Sequence, residues 1–302
     1  MASIAYIADQ HMIEYHRLNG SRTMNFWRLG NMKKFSDFHE GDYLFFLVKG
    51  TERSGSKEKG IMGYGHLRKM QSMTFNQMWN TYGNENGYED KEEFKEAVIR
   101  LSKDKKMPVK MSGLYLDNVV FFQSPVYLSE IGITISNRLE SYCYLDKEDP
   151  QATAKLLSKA KESGADMWSM LMSEEFVNDD YFEEEEISHT IASIHKRIKL
   201  TMTEWERKKA RKWLREYCET HPKAHPVKGV KTEGFSYSEG VCTLIMPIVS
   251  KNNMDNTTQA MVGHICLLKH LLMQECQYQI KIKIKLLSDQ DVSELEKQCN
   301  GM

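Results

Sequence analysis

Long apolar runs are missing from this chain. No stretch reaches the roughly 18 consecutive apolar residues needed to cross a bilayer, so no membrane span and no membrane partner are expected. Met1–Asp9 has neither a basic start nor a sustained apolar core, so it does not read as a signal peptide. An excess of one charge is missing too: 41 basic and 42 acidic side chains leave a formal net charge of −1. No global polycationic field exists to hold a nucleic acid non-specifically, so any such contact must come from local patches and a specific pocket. The six cysteines (Cys143, Cys218, Cys242, Cys266, Cys276 and Cys299) form no CxxC pair. No Cys/His cluster has zinc-site spacing, so neither a metal nor another cofactor is expected. They read as reduced thiols, which fits a cytoplasmic protein. G-x-S-x-G, P-loop, HExxH and G-x-G-x-x-G motifs are all absent.

What is present is an ordinary globular composition over 302 residues, 41% hydrophobic and 27% charged, long enough for two domains. Residues 1–22 read as an irregular or helical lead-in. Aromatic and β-branched runs punctuated by Gly and Asp then predict strands over Met24–Leu29, Asp42–Lys49, Gly60–Met70 and Leu114–Phe122. Between the last two lies a helical insertion. Phe75, Met78, Trp79 and Tyr82 recur at spacings of three and four, and Asp90–Leu101 places Phe94, Val98 and Leu101 on one face.

Charge and proline mark a boundary near Asp146–Pro150, dividing the chain into 1–145 and 146–302. Pro150 suits the first turn of a helix carrying Leu156, Leu157 and Ala160. Trp168, Leu171 and Met172 begin another helix, and the acidic run Asp179–Glu186 reads as a solvated loop and helix start. Thr203-Glu204-Trp205-Glu206 has capping-box spacing. The helix it opens sets Ala210, Trp213, Leu214 and Tyr217 against a basic face of Arg207, Lys208, Arg211, Lys212 and Arg215. His221–Gly234 reads as a loop. The chain then predicts strand Val241–Val249, helix Thr258–Gln274 and strand Tyr278–Leu287. In the last of these, Ile280, Ile282, Ile284 and Leu286 alternate with lysines.

Four segments in order carry a family resemblance: Asn25-Phe26-Trp27-Arg28-Leu29-Gly30, Phe38-His39-Glu40-Gly41-Asp42-Tyr43-Leu44-Phe45-Phe46, Lys59–Gly65, and Gly113–Phe122 with Ser124–Leu128. Over about 110 residues they resemble the EVE/PUA-like superfamily, related to YTH and ASCH domains. The resemblance implies an α+β fold: an N-terminal β-barrel with a helical insertion, followed by a C-terminal α/β domain. It implies a reader that binds a flipped, modified base, with modified DNA favoured over RNA, in a bacterial restriction or defence setting with an effector protein as partner. A flipped base offers two π-faces and a Watson–Crick edge, and aromatic stacking contributes roughly 1–3 kcal/mol per base.

The base-binding candidates are Trp27, Tyr64, His66, Trp79, Tyr82 and Asn25. Trp27 is the first choice for a stacking wall, and the asparagine amide could read a base edge. Candidate backbone contacts are Lys33, Lys34, Arg53, Lys59, Arg68 and Lys69. Two other readings stay open: an enzyme, or a protein-interaction module without base binding. The closing strand–helix–strand resembles the latter part of a PD-(D/E)XK nuclease core, yet the interior of Val241–Val249 has no Asp or Glu to hold a metal. Glu233, Glu239, Gln259 and His264 nearby do not assemble into a site by spacing, and His189 and His195 read as structural. ASCH domains include nucleoside hydrolases, which would need a lysine and a carboxylate converging in the pocket. Lys49 or Lys59 with Glu58 are the residues to consider, and no catalytic residue is assigned.

Overall fold

The computed structural model describes residues 2–29, 35–147, 149–173, 180–198, 200–249 and 254–301, with no side-chain description for 254–257. Two compact units emerge: 2–152 with 159–178, and 153–158 with 179–302. Both combine helices with a sheet, so the chain is α+β.

The first unit is built on six strands: β1 (Ser3–Ala8), β2 (Met24–Leu29), β3 (Tyr43–Val48), β4 (Ile61–Met73), β5 (Met111–Val126) and β6 (Tyr142–Tyr144). Their order is β2-β5-β4-β3-β1-β6. β1 and β3 run parallel, and the other pairs are antiparallel. The four predicted strands are all present. The sheet curls into a half-barrel with β2 and β6 as its edges, compatible with the expected β-barrel. Register shifts between β3 and β4 and between β4 and β5 supply the bending.

β1 corrects the reading of 1–22 as an irregular or helical lead-in. Ile4, Ala5, Ile7 and Ala8 are all buried, because a strand covered on both faces shows no polar alternation. The helical part of that segment is α1 (Gln10–Leu18), capped by Asp9, whose carboxylate accepts from the backbone N–H of His11 and Met12.

The helical insertion is α2 (Phe75–Tyr82) and α3 (Lys91–Leu101). A capping box between Thr74 and Gln77 starts α2, and the Asp90 carboxylate caps α3. Phe75, Met78, Phe94, Ala97 and Val98 join Leu44, Phe46, Val48, Met24 and Phe26 in one core. Asn86, in the turn after α2, locks the insertion onto β2. Its carbonyl oxygens accept from Asn25 Nδ2 (2.8 Å) and Trp27 Nε1 (3.0 Å), and its own amide donates to Gly83 O (2.7 Å). Asn25, Trp27 and Asn86 are all buried, so their bonds withhold the cost of unmatched polar atoms. The segment closes with α5 (Met167–Ser173), before which Arg17 pairs with buried Asp166 at 3.1 Å. The helix α4 (Ala152–Ser163) precedes it.

The second unit contains α6 (Tyr181–Arg197), α7 (Glu204–Thr220), β7 (Ala224–Pro226), β8 (Gly234–Ser238), β9 (Val241–Pro247), α8 (Met254–Glu275), β10 (Lys281–Leu287) and α9 (Ser293–Gly301). The sheet order is β10-β9-β8-β7, with only β9 and β10 parallel. The predicted strand–helix–strand is therefore present. The predicted loop His221–Gly234 conceals β7. β8 and β9 form a hairpin on Glu239 and Gly240, both at positive φ, as a tight two-residue turn requires. Ile187, Ile191 and Ile194 of α6 and Ile265, Leu268 and Leu272 of α8 pack with Phe235, Leu244, Met246 and Ile284. Leu214 of α7 packs instead with Ala224 and Ile245. Alternation along β9 thus assigns Leu244 and Ile245 to different layers.

Replacing Asn86 with Ala would leave the Asn25 amide without its acceptor inside the core, while the Trp27 indole N–H keeps the backbone carbonyl of residue 86. Chemical unfolding of Asn86→Ala is expected to show a loss of about 1–3 kcal/mol, with the buried Asn25 donor left unpaired.

Candidate functional site

A cavity of about 360 Å³ opens in the first unit. It lies where β1 and β3 end. Because those strands are parallel, the residues that follow them, Asp9 and Lys49, share one rim. Tyr6, Phe35 and Tyr142 form an aromatic wall. Tyr142 is 5.4 Å from Tyr6 and 4.8 Å from Phe35 between ring centroids. Ser112, Glu140 and Ser141 add hydroxyl and carboxylate groups.

Arg28, in β2, supplies a part-buried cation. Its guanidinium carbon is 4.0 Å from the Tyr6 ring centroid and 5.1 Å from that of Phe26. Among the described residues no carboxylate lies within ion-pair distance of it. Burial pushes the Arg28 guanidinium below its ordinary range, and the neighbouring Tyr6 and, more weakly, Asp9 only partly oppose this. A cation held on aromatic faces with no carboxylate at ion-pair distance can accept an anion that offsets its desolvation, although Asp9 and Glu140 line the same cavity.

Of the six base-binding candidates, only Trp27 lines this cavity. Even so it is 4% exposed, with its ring 5.2 Å from Phe94 and its indole N–H held by Asn86. Asn25 is buried with its Nδ2 donating to Asn86. Tyr64 and His66 pack on the other side of the sheet with Tyr43, at centroid distances of 5.4 and 4.5 Å. Trp79 packs on Phe94 at 6.0 Å. Tyr82 stacks on Tyr115 at 5.2 Å and donates its hydroxyl to Gln71 Oε1 at 2.7 Å.

The basic candidates are dispersed. Arg53 pairs with Glu130 and covers Tyr127; Arg68 pairs with Asp117. Lys59 donates to Asn137 O at 2.9 Å, and Lys69 lies over the rings of Tyr82 and Tyr115. Lys33 and Lys34 lie outside the described residues. Of the lysines considered for hydrolysis, Lys49 reaches the cavity. Glu58 instead accepts from the backbone N–H and hydroxyl of Ser129.

Sequence reasoning missed Arg28, Tyr6 and Tyr142 as cavity residues. An arginine inside the apolar run Met-Asn-Phe-Trp-Arg-Leu was a usable signal, because an unmatched charge in a half-buried strand calls for a partner. Tyr142 carried none, lying in a three-residue strand far along the chain.

The second unit holds a different cluster. Glu233 Oε2 is 3.0 Å from His195 Nε2 and 3.3 Å from His264 Nε2, and all three residues are buried. Burial pushes the Glu233 carboxyl up, but the two histidines beside it outweigh that and hold it down, at about 2. The spacing-based reading of His195 as merely structural, and of Glu233 and His264 as forming no site, did not foresee this convergence. Elsewhere on α6, burial pushes the Glu186 carboxyl up to about 7; its Oε1 accepts from Gln277 N at 2.9 Å, while its buried Oε2 has no hydrogen-bond partner among the described residues.

Trp27→Ala is expected to cost about 3–5 kcal/mol in denaturant unfolding, the range for emptying a buried tryptophan site. A variant that unfolds without that loss would mean the indole is not a core element. Glu186 makes stability depend on pH. The folded state keeps this proton where the unfolded chain has already released it, so its stabilising contribution is present at low pH and declines as pH rises from about 4.5 towards 7. Glu186→Gln should therefore gain on the parent by up to about 3 kcal/mol between pH 4 and pH 8, read from melts across that range.

No known family's sequence profile matches the chain, and no curated protein matches it. Three solved structures are similar to part of it. The crystal structure of ASCH from Zymomonas mobilis is 13% identical, covering 52% of this chain and 94% of its own, with a TM-score of 0.38. Two mutants of that Zymomonas mobilis protein are each 14% identical over 52% of this chain; they cover 96% and 95% of their own length, with TM-scores of 0.36 and 0.33.

Proposed function

We propose that the cavity of the first unit holds one nucleotide unit of a nucleic acid, its base turned out of the stack. The observation that carries this reading is the meeting of an aromatic wall with a part-buried guanidinium that no carboxylate among the described residues holds at ion-pair distance, in a space of about 360 Å³. That volume falls within the range of small-molecule sites. Tyr142 and Phe35 offer faces for stacking, and Ser112 and Ser141 can exchange hydrogen bonds with a base edge. Arg28 and Lys49 meet the phosphate or an electronegative edge. Residues 1–145 are the reader on this account, and 146–302 a domain for interaction. A base modification adds apolar volume against Phe35 and Leu101, giving selectivity of about 1–3 kcal/mol.

A second reading has its own observation. Lys49 and Glu140 line the same cavity, so a lysine and a carboxylate share the space where a base would lie. This is the pairing required to add water across the exocyclic amide of an N-acylated nucleoside, breaking the C–N bond and releasing the acid and the free amine. Asp9 is less available, since its carboxylate caps α1.

The test is a panel of plain, methylated and hydroxymethylated DNA and RNA oligonucleotides at two salt concentrations. Tyr142→Ala and Arg28→Gln should each weaken binding by about 5- to 150-fold while leaving the melt cooperative, as expected for a lost stack or charged contact of 1–3 kcal/mol. Failure of the folded parent to bind any member of the panel would overturn the reader. Release of acid from an N-acylated nucleoside, abolished by Lys49→Met, would establish the second reading.

A further inference from the structure

We infer that His195, Glu233 and His264 form a binding site for one divalent transition-metal ion of the zinc class. Three separate elements deliver the ligands. His195 occupies the last turn of α6, Glu233 immediately precedes β8, and His264 lies within α8. One ligand atom from each residue lies within 4.8 Å of the other two. The edges from Glu233 measure 3.0 Å to His195 Nε2 and 3.3 Å to His264 Nε2. A tetrahedral zinc ion with bonds of about 2.0–2.1 Å separates its ligand atoms by about 3.3 Å, so the carboxylate edges already match.

The pairing of these groups without an ion is incomplete. His195 Nε2 is buried and 3.0 Å from the carboxylate, yet among the described residues it makes no well-aligned hydrogen bond. An ion at the centre of the cluster would take the lone pairs of both imidazoles and the carboxylate together. Two imidazole nitrogens and one carboxylate select zinc, cobalt, nickel or iron over magnesium and calcium, which prefer oxygen-only shells. Three protein ligands leave a fourth position for water, as in zinc sites that do chemistry.

The surroundings favour a preformed site. Ile191 and Ile194 on α6 and Met261, Ile265 and Leu268 on α8 belong to the same packed core, so the two helices are held by apolar contacts that do not involve the ligands. His195, Glu233 and His264 are 7%, 4% and 8% exposed. A cavity of about 190 Å³ lies along the same elements, lined by Leu200–Met202 after α6 and by Ala260 and Met261, one turn before His264. No thiol belongs to the cluster, although Cys242 and Cys299 are buried in the same core.

The experiment uses the full chain, stripped with a chelator and titrated calorimetrically with zinc chloride. One ion per chain is expected, with a Kd below about 1 µM and a rise in Tm on zinc addition that magnesium does not reproduce. His264→Ala and Glu233→Gln should each weaken zinc binding by about 100-fold or more. Because either variant could disturb folding, the parent is also loaded with cobalt(II). The visible d–d bands of a tetrahedral nitrogen–oxygen site should appear without a thiolate charge-transfer band. The absence of zinc binding by the folded parent would overturn the inference. So would a cobalt spectrum dominated by thiolate, or folded variants that keep the parent's affinity.

Discussion

Strand β3 is buried on both faces, and much of the first unit follows from that condition. Its side chains alternate between two apolar layers, with Leu44, Phe46 and Val48 towards the core shared with the helical insertion, and Tyr43 and Phe45 towards Tyr64 on the other side. A strand with no solvated face must have its backbone groups paired on both edges. β1 meets that need on one edge in parallel, and β4 on the other in antiparallel fashion. The parallel pairing then has a chemical consequence. Both strands finish on the same side, so the polar residues after them, Asp9 and Lys49, meet at the cavity rim. Ligand sites outside the carboxyl ends of parallel strands recur for this geometric reason.

The two sites differ in how their groups are held. In the cavity, the wall residues Tyr6 and Tyr142 belong to neighbouring strands at one edge of the sheet, while Trp27 behind them is immobilised by Asn86 and Phe94. The indole, the two tyrosines and Arg28 line the same cavity. In the second unit the ligating groups project from two helices and a strand entrance fixed by a common core. A carboxylate flanked by two imidazoles in that setting has a polar neighbour on each side although all three residues are buried.

Much of the element order was legible because amphipathic periodicity is local. Phe75, Met78 and Tyr82, or Ala210 and Leu214, recur at helical spacing whatever they pack against, and both helices appear. β1 was not legible, since Ser3–Ala8 shows no alternation when both faces are covered. β6 is three residues long and exists through its pairing with β1. Among site residues, Trp27 was singled out and does reach the cavity. Tyr64 and His66 were singled out by strand alternation, which identifies a shared face without saying which layer that face joins.

The sequence by itself determined the helices, the main strands, the absence of a strong net field and the reserve of aromatic side chains. Those properties depend on neighbours within a few residues or on simple sums. Tertiary structure decided which aromatics are walls and which are core, placed Arg28 against Tyr6, and brought His195, Glu233 and His264 together. These choices rest on contacts between elements distant in the chain, where strand order and helix packing govern the distances that chemistry requires.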